Sequence, residues 1–374
     1  MKVLIIVSVA ASLLMVGVGM IVAVLPARIL SLSGSIQDVS YLASAFAVSY
    51  LLVQMPVGYF SDRFGAKLFL VCGYMLAAVS GLMLFFAESF NEIYLGRIIQ
   101  GAAEAPIWAL GPAFLSLAYP HAKGKVIGIY NAAIHAGLTL GPIVGLYLFA
   151  NGSAGGPFLM FSALCLFGGL LMLFLLPKMS VIGDRMSIKV PGIVEFFDLL
   201  KNKTSVVTLS CILLYGAAYG ICVSVLPAML ALEKDFDSLS NAVYFALFYI
   251  SISIAQLIVG PLSDRHGRRI YMASGLVTAA IGFASFSFFT HPWIYVPLVI
   301  ASIGLGIYCV TSIALLNESV PNELKSTISA SYYLAWGSGY FIGPLVVGWF
   351  AYGYALLSFL MAAGSVAVIT ILRT

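Results

Sequence analysis

Charged residues are scarce in this chain, and their scarcity excludes a water-soluble globular protein. Only 9% of the 374 residues are Asp, Glu, Lys or Arg, whereas 62% are hydrophobic. Soluble domains carry about 25% charged residues, so this chain has too little polar surface to cover a core in water. The mean hydropathy of +1.07 agrees with that conclusion and indicates a chain that folds in lipid.

The residue patterns of metal sites and hydrolytic enzymes are also missing. The four histidines are scattered, and the sequence has no glycine-rich nucleotide loop, catalytic triad or zinc-ligand spacing. No two of the five cysteines form a C-x-x-C pair, and each lies in an apolar stretch, as small buried residues do. We therefore predict that the chain is not an enzyme and that it binds no metal and no cofactor.

What the chain has instead is a series of long apolar stretches separated by short polar segments. A bilayer core of about 30 Å is crossed by about 20 helical residues, whereas barrel strands alternate apolar and polar residues over about 10 residues. The stretches here are continuously apolar and of helical length, so the sequence predicts an all-α integral membrane protein. We expect twelve transmembrane helices, at residues 3–27, 39–60, 68–87, 93–118, 126–150, 157–176, 205–230, 240–262, 270–289, 293–317, 326–350 and 352–371.

The distribution of Lys and Arg predicts the orientation of these spans. If the N-terminus is cytoplasmic, fifteen of the eighteen basic residues fall on the cytoplasmic side, and only Arg28, Arg97 and Lys234 do not. Loops rich in basic residues stay on the cytoplasmic side of a bilayer. We therefore expect a multi-pass protein of a cytoplasmic (inner) membrane with both termini in the cytoplasm. The net charge of +4 then reflects topology, and we expect no nucleic-acid partner.

A short signature occurs twice, each time between two apolar stretches. The first copy runs from Gly58 to Lys67 and reads GYFSDRFGAK, and the second runs from Gly260 to Arg269 and reads GPLSDRHGRR. The same offset of 202 residues relates Gln54 to Gln256 and Gly141-Pro142 to Gly343-Pro344. A constant offset indicates two halves with the same fold. We predict six-helix halves at 1–177 and 204–374, joined by a polar cytoplasmic linker at 178–203 that forms a short amphipathic helix or a solvated loop.

The repeated signature resembles the loop motif of the major facilitator superfamily, and the likeness covers the whole chain through its spans, linker and repeat. Two further segments are similar to motifs of the twelve-helix drug:proton antiporters of that superfamily. Arg97-Ile-Ile-Gln100-Gly101 is similar to the Arg-x-x-Gln-Gly motif. A segment of the fifth span is similar to the antiporter motif Gly-x-x-x-Gly-Pro-x-x-Gly, through Gly137, Gly141, Pro142 and Gly145.

This resemblance implies a secondary active transporter with the major facilitator fold, which works by alternating access of two pseudo-symmetric halves. It implies export of a small organic compound, amphipathic or drug-like, with the proton as the coupling ion. The partners we expect are that small-molecule substrate and the membrane lipid, and we expect a monomer to be the working unit. Two alternatives stay open. One is a uniporter or proton-coupled importer of a small metabolite or organic anion, and the other is a non-transporting membrane sensor or scaffold.

The resemblance assigns the two signatures to gates that close the cytoplasmic side. Each Asp ends its helix next to a glycine turn, so its carboxylate can meet the positive N-terminal end of a neighbouring helix. We expect Glu318 to pair with Arg265 and Arg268, whereas the matching position of the first half is Ser116, so that gate should lack an ion pair. The predicted gating residues are Gly58, Asp62, Arg63, Gly65, Gly260, Asp264, Arg265, Gly267, Arg268 and Glu318.

Three ionisable residues, Arg97, Glu104 and His135, lie inside the predicted spans of the first half. Arg97 and Glu104 share one helix face, and Glu104 and His135 fall near the middle of their spans. Because ionised side chains are expensive in lipid, we expect that face to point into the protein. We predict that this set couples transport to protons, since desolvation favours a neutral carboxyl group and nearby cations favour a charged one. The alternatives are a purely structural ion pair and direct binding of a charged substrate.

Aromatic residues at helical spacing predict one wall of a substrate site. Aromatic faces near the middle of the membrane would suit a flat apolar or cationic organic molecule. The same spacing is common in ordinary helix packing, which is the alternative. The predicted substrate-binding residues are Trp108, Asn131, Tyr215, Tyr219, Tyr332, Trp336 and Tyr340.

Overall fold

The computed structural model describes residues 1–33, 36–151, 155–177, 202–226, 230, 238–290, 292–349 and 353–371. In these ranges the chain forms twelve long α-helices and no strand, as the sequence predicts. The helices of the first half are α1 Lys2–Ser33, α2 Ile36–Phe64, α3 Ala66–Phe86, α4 Phe90–Ala118, α5 Lys123–Asn151 and α6 Gly156–Leu175. Those of the second half are α7 Lys203–Gly220, α8 Ser238–His266, α9 Arg268–Ser285, α10 Tyr295–Glu318, α11 Lys325–Trp349 and α12 Gly353–Ile371. The predicted linker helix falls within 178–201, outside the described residues.

The seventh helix departs from a regular α-helix within its predicted span of 205–230. It is α-helical from Lys203 to Gly220, continues as a π-helix over Ile221–Val225, and is α-helical again at Leu226 and Leu230. A π-turn disturbs the normal pairing of backbone groups along a helix. Here the hydroxyl of Tyr244, from α8, donates a 2.8 Å hydrogen bond to the carbonyl oxygen of Cys222 and so supplies a partner within the π-turn.

The apolar character of the helices is that of a membrane protein. Within the described residues, eight helical segments are long and apolar enough to cross a bilayer, by length and composition. Large hydrophobic side chains also face outwards, and Leu52, Phe86 and Phe174 are each at least 70% exposed. Apolar surface of this kind is costly in water but not in lipid.

Each signature contains one glycine that separates two consecutive helices. α2 ends at Phe64 and α3 begins at Ala66, with Gly65 between them at φ 92°. Gly267 occupies the same place between α8 and α9 at φ 89°. Side chains other than glycine rarely adopt this left-handed region, so both tight turns require the glycine that the motif carries.

Both halves have the same helix packing. In the first half α2 packs on α4, α3 on α4, α3 on α6, and α1 on α6. In the second half the equivalent pairs form: α8 with α10, α9 with α10, α9 with α12, and α7 with α12. This equivalence is the structural counterpart of the 202-residue offset.

The described helices group into two compact units. Unit 1 consists of Met1–Ala118, Ala133–Val190 and Asn322–Ala330, and unit 2 consists of Tyr119–Ala132, Pro191–Pro321 and Ser331–Thr374. Each unit therefore holds most of one predicted half together with one short segment from the other half. The short segments contain the N-terminal ends of α11 and α5. The boundaries of the halves, at 177 and 204, stay a sequence-based prediction.

Candidate functional site

The buried face of α4 in unit 1 carries a continuous row of hydrogen bonds, which we call the α4 ladder. Arg97 donates from Nη1 to Oε1 of Gln100 at 2.7 Å, and Gln100 donates from Nε2 to Oε1 of Glu104 at 2.8 Å. Trp108 donates from its indole nitrogen to Oε2 of Glu104 at 3.3 Å. Spacings of three and four residues place the four side chains one above another. Arg97, Gln100 and Glu104 are all buried.

The cationic end of the ladder is held by α2. The guanidinium of Arg97 lies 4.7 Å from the ring centroid of Phe46, and its Nε donates to the carbonyl oxygen of Leu42 at 3.4 Å. A Cβ on Gly101 would lie 2.2 Å from the carbonyl oxygen of Phe46, so α4 can come this close to α2 only with glycine there. A cation over an aromatic face away from water is a favourable arrangement. The charge of Arg97 is therefore fixed against α2.

Glu104 is held by neutral donors within its own helix. Among the described residues its hydrogen bonds go only to Gln100 and Trp108, and Gln100 lies between it and Arg97. The structural pair that the sequence left open, in which Glu104 would bridge α4 to α5 through His135, is not formed in the described part of the chain. Among the described residues the Glu104 carboxylate therefore has neutral hydrogen-bond donors and no direct ionic partner.

His135 lies on α5 in unit 1 and is buried. The hydroxyl of Thr139 donates to the backbone carbonyl oxygen of His135 at 2.8 Å. The sequence predicted that His135 belongs to the proton-coupling set with Arg97 and Glu104. The described contacts join Arg97 and Glu104 through Gln100, whereas the part played by His135 stays a prediction.

The first of the two predicted gates, which we call the Asp62 gate, lies within unit 1. The carboxylate of Asp62 accepts hydrogen bonds from the backbone N–H groups of Ser326 and Thr327 at 3.0 and 2.8 Å, and from the hydroxyl of Thr327 at 2.5 Å. Both N–H groups belong to the first turn of α11, where the helix dipole is positive. Burial raises the pKa of the Asp62 carboxyl from its ordinary value of 3.8 to about 6, although these hydrogen bonds act in the opposite direction.

The Asp264 gate has the same design in unit 2. Asp264 accepts hydrogen bonds from the backbone N–H groups of Gly124 and Lys125, both at 2.8 Å, in the first turn of α5. Arg268 binds the carboxylate of Asp264 and also donates to Oε1 of Glu318 at 2.8 Å. Each gate therefore attaches the end of one helix to the N-terminus of another.

The two gates differ in charge. Ala66 and Ser116 occupy the positions that match Arg268 and Glu318, and the described contacts of Asp62 include no cation. The sequence expected one ion pair to be missing from the first gate, and the structure has that asymmetry. Asp264 forms an ion pair with Arg268 in its own unit, whereas the described hydrogen-bond donors to Asp62 are all neutral.

The predicted gating arginines other than Arg268 lie at the surface. Arg63 is exposed, with its guanidinium 5.2 Å from the ring centroid of Phe64. Arg265 is also exposed, and in the described part of the chain Glu318 pairs with Arg268 and not with Arg265. The reason is position: Arg268 opens α9 and is buried beside Glu318, whereas Arg265 falls on the last turn of α8 and faces outwards.

The predicted motif glycines lie where backbones touch. A Cβ on Gly58 would lie 2.5 Å from the Cβ of Ala330, and one on Gly260 would lie 2.4 Å from the carbonyl oxygen of Gly124. Both contacts lie one helical turn from the gate carboxylates. Small residues at such crossings permit the backbones to approach. The gates therefore require glycine for close contact as well as Asp for the hydrogen bonds.

The antiporter-like segment of α5 packs on α1 in unit 1. A Cβ added to any of its three glycines would lie 2.4 to 2.7 Å from α1 backbone atoms of Ser12, Val16 or Met20. Pro142 contributes to the same contact, because a Cβ on Gly19 would lie 2.8 Å from its Cδ. The residues in this contact are Gly137, Gly141, Pro142 and Gly145. They allow close packing of the two helices.

Four of the predicted aromatic residues form one cluster in unit 2. Ring centroids are 6.2 Å apart for Tyr215 and Tyr219, 5.6 Å for Tyr219 and Trp336, and 5.3 Å for Trp336 and Tyr340. The cluster brings α7 and α11 together. Sequence reasoning missed Phe248 of α8, whose ring lies 5.2 Å from that of Tyr219.

The other predicted substrate residues have different surroundings. Tyr332 is buried on α11, and its hydroxyl donates to the thiol sulfur of Cys309 at 3.6 Å. Asn131 donates from Nδ2 to the same sulfur at 3.5 Å. Trp108 lies in unit 1 as a donor to Glu104. Cys309 was not among the predicted site residues, because a single cysteine in an apolar segment forms no recognisable sequence pattern.

Comparison with known proteins agrees with these features. A family model described as Major Facilitator Superfamily matches residues 7–344. The chain is similar to Multidrug resistance protein 2 of Bacillus subtilis, with 26% identity over 71% of this chain and 68% of the relative. It is 25% identical to the class C tetracycline resistance protein of Escherichia coli, over 89% of this chain and 85% of the relative.

Solved structures support the same fold. The human organic anion transporter MFSD10 (TETRAN) superposes with a TM-score of 0.82 at 17% identity, over 98% of this chain and 99% of that chain. Identity at that level shows the fold and not the substrate. The family match, the paired signatures and the equivalent packing of the two halves show that this chain belongs to the Major Facilitator Superfamily and is a multi-pass membrane transporter, not an enzyme.

Proposed function

We propose that this transporter exports a small organic compound, amphipathic or drug-like, in exchange for protons and by alternating access. It works as a monomer in a cytoplasmic (inner) membrane, with both termini in the cytoplasm. The proposal is supported by the names of two relatives, a multidrug resistance protein and a tetracycline resistance protein. The observation that carries it is the α4 ladder, which holds a buried carboxylate between neutral donors.

The ladder offers a way to convert a proton into a conformational signal. As a carboxylate, Glu104 accepts hydrogen bonds from Gln100 and Trp108, and this orients the Gln100 amide with its oxygen towards Arg97. A protonated Glu104 carries an O–H donor on one of its two oxygens and is a weaker acceptor, so its hold on the Gln100 amide weakens. Protonation of Glu104 therefore changes the hydrogen bond between Gln100 and Arg97, and Arg97 is itself held against α2.

The proton signal can reach the Asp62 gate through α2. Arg97 contacts α2 at Leu42 and Phe46, and Asp62 lies on the last turn of the same helix. Sixteen residues at about 1.5 Å each separate Phe46 from Asp62, a distance of about 24 Å along one helix. A change in the anchoring of α2 at Arg97 would therefore be transmitted to the contact between Asp62 and α11. All of these residues belong to unit 1.

The test is Glu104→Gln, which keeps the size of the side chain and mimics the protonated carboxyl group. The variant should lose proton-driven transport in proteoliposomes and keep exchange of substrate without a pH gradient. A pH reporter inside the vesicles would follow proton movement while ethidium, acridone and fluorescein serve as cationic, neutral and anionic probes.

Glu92→Gln is the matched control, because Glu92 is an exposed carboxylate at the start of the same helix. It should behave as the parent does. If Glu104→Gln still accumulates a probe in response to a pH gradient, Glu104 is not the coupling site. If the parent moves none of the three probes and no protons, proton-coupled export of such compounds is wrong.

A further inference from the structure

A buried group of four polar side chains in unit 2 lies outside the α4 ladder and the gates. It consists of Asn131 on α5, Gln256 on α8, Cys309 on α10 and Tyr332 on α11, and we call it the thiol cluster. Each of the four is at most 7% exposed. Four helices therefore contribute polar atoms to one enclosed point, with no Asp, Glu, Lys, Arg or His among them.

The hydrogen bonds inside the thiol cluster are poorly matched. Asn131 and Tyr332, which are both good donors, point at the same thiol sulfur, at 3.5 and 3.6 Å. Sulfur is a weak acceptor. Gln256 comes within reach of this thiol, but neither its Nε2 nor its Oε1 has a partner with hydrogen-bond geometry among the described residues. A buried amide in that condition costs free energy, and native proteins rarely keep one without a use.

The unpaired amide of Gln256, together with two donors that have only a weak acceptor, defines the ligand that would satisfy the cluster. The donors of Asn131, Gln256 and Tyr332 call for a strong oxygen acceptor, and the free Oε1 of Gln256 calls for a neighbouring N–H or O–H donor. A carbonyl group next to an N–H, as in an amide or lactam, offers both. Because the cluster has no charged member, it favours a neutral group.

The walls around the thiol cluster are aromatic. Tyr215 contacts the thiol of Cys309, and its ring centroid lies 6.0 Å from that of Tyr308. The ring of Tyr333 lies 4.9 Å from that of Tyr332. Aromatic faces prefer flat apolar partners. The complementary molecule is therefore a flat aromatic compound that carries a neutral carbonyl and N–H pair.

The segment Tyr119–Ala132 carries Asn131, packs against α8 at Gln256, and is also the segment that the Asp264 gate holds. A Cβ on Gly128 would lie 2.5 Å from the carbonyl oxygen of Gln256, so the start of α5 rests directly on α8 at this point. Asp264 fastens the same segment through the N–H groups of Gly124 and Lys125. Release of that gate would free the start of α5 and uncover Gln256.

We propose that the thiol cluster is a substrate subsite that binds the carbonyl and N–H groups of a flat, neutral aromatic compound once the Asp264 gate releases the start of α5. The inference rests on the proposed transport of a small organic compound, and it names the class of compound. Gln256 supplies the specificity, because both the donor and the acceptor atom of its amide lack a partner among the described residues.

Acridone and anthracene test this subsite as a matched pair of probes. Both are flat three-ring molecules, but only acridone has a ring carbonyl and an N–H group. The parent protein should bind acridone more tightly, by ligand fluorescence in detergent. Gln256→Leu should weaken acridone binding about fivefold, which corresponds to about 1 kcal/mol, and should leave anthracene binding unchanged.

Gln54→Leu is the control for the loss of a buried amide. Gln54 matches Gln256 at the 202-residue offset, is also fully buried, and also has no hydrogen-bond partner among the described residues, but it lies in unit 1. It should change neither affinity. Equal affinity of the parent for the two probes, or an unchanged acridone affinity in Gln256→Leu, would overturn the subsite.

Alkylation of Cys309 is a second measurement that does not depend on the variants. Acridone should slow the reaction of Cys309 with N-ethylmaleimide relative to Cys211, another buried thiol of unit 2, as measured by mass spectrometry of the same sample. Anthracene should protect less. No difference between the probes would reject the subsite even if acridone is exported. Protection of Cys309 without proton-driven export would reject the proposed function and leave the subsite standing.

Discussion

Asp62→Asn should remove a pH dependence from the contact between α2 and α11. Burial raises the pKa of Asp62 from 3.8 to about 6, so the buried contact favours the protonated carboxyl group. A raised pKa adds stability that is complete below the ordinary value and is lost as the pH rises through the higher one. The contact should therefore be stronger at pH 5 than at pH 7.

The size of this effect follows from the same two pKa values. The Asp62 carboxyl group has its ordinary pKa of 3.8 when the contact is broken and a pKa of about 6 when the contact is formed. The contact therefore weakens by roughly 1.3 kcal/mol between pH 5 and pH 7. That change is about tenfold in the ratio of closed to released contact.

Spin labels at Phe64 and Asn322 would measure the contact, because both positions are exposed and both lie in unit 1. Double electron–electron resonance between pH 5 and pH 8 should show the short-distance population falling as the pH rises, with most of the fall around pH 6. Asp62→Asn should give the same population at every pH, and Asp264→Asn should keep the fall. A short-distance population that rises with pH, or an unchanged fall in Asp62→Asn, would refute the reasoning.

Two further predictions concern the gates. Arg268→Met leaves Asp264 and Glu318 beside each other without their cation, and it should lower the free energy of unfolding by roughly 1 to 3 kcal/mol, as measured by thermal unfolding in detergent. Arg268→Lys should recover part of that loss, and a variant with Met that is as stable as the parent would show that the ion pairs contribute nothing. Gly58→Leu adds a side chain where even a Cβ would lie 2.5 Å from the Cβ of Ala330, so the short spin-label distance should be lost at every pH. Retention of that distance would mean that the added side chain is accommodated without opening the gate.

The twelve helices and the repeat could be predicted because lipid leaves the backbone few options. Apolar stretches of helical length must pair their own N–H and C=O groups, so the number of helices follows from the sequence. The tight turns at Gly65 and Gly267 also follow locally, since only glycine adopts that backbone conformation easily. The π-turn at Ile221–Val225 could not be predicted in this way, because a hydroxyl from another helix completes it.

The candidate site, like the fold, was only partly predictable from the sequence. The sequence alone determined that Arg97 and Glu104 lie on one buried face of α4, because helical spacing is local and ionised groups avoid lipid. Only the tertiary structure decided that Gln100 separates them, that Arg97 rests on Phe46, and that the gate carboxylates bind the backbone N–H groups of distant helix ends. Such contacts join residues as far as 265 positions apart and use main-chain atoms that every residue possesses. The signatures predict that each carboxylate meets a helix N-terminus, but packing decides which helix supplies the N–H groups, because almost every residue has one.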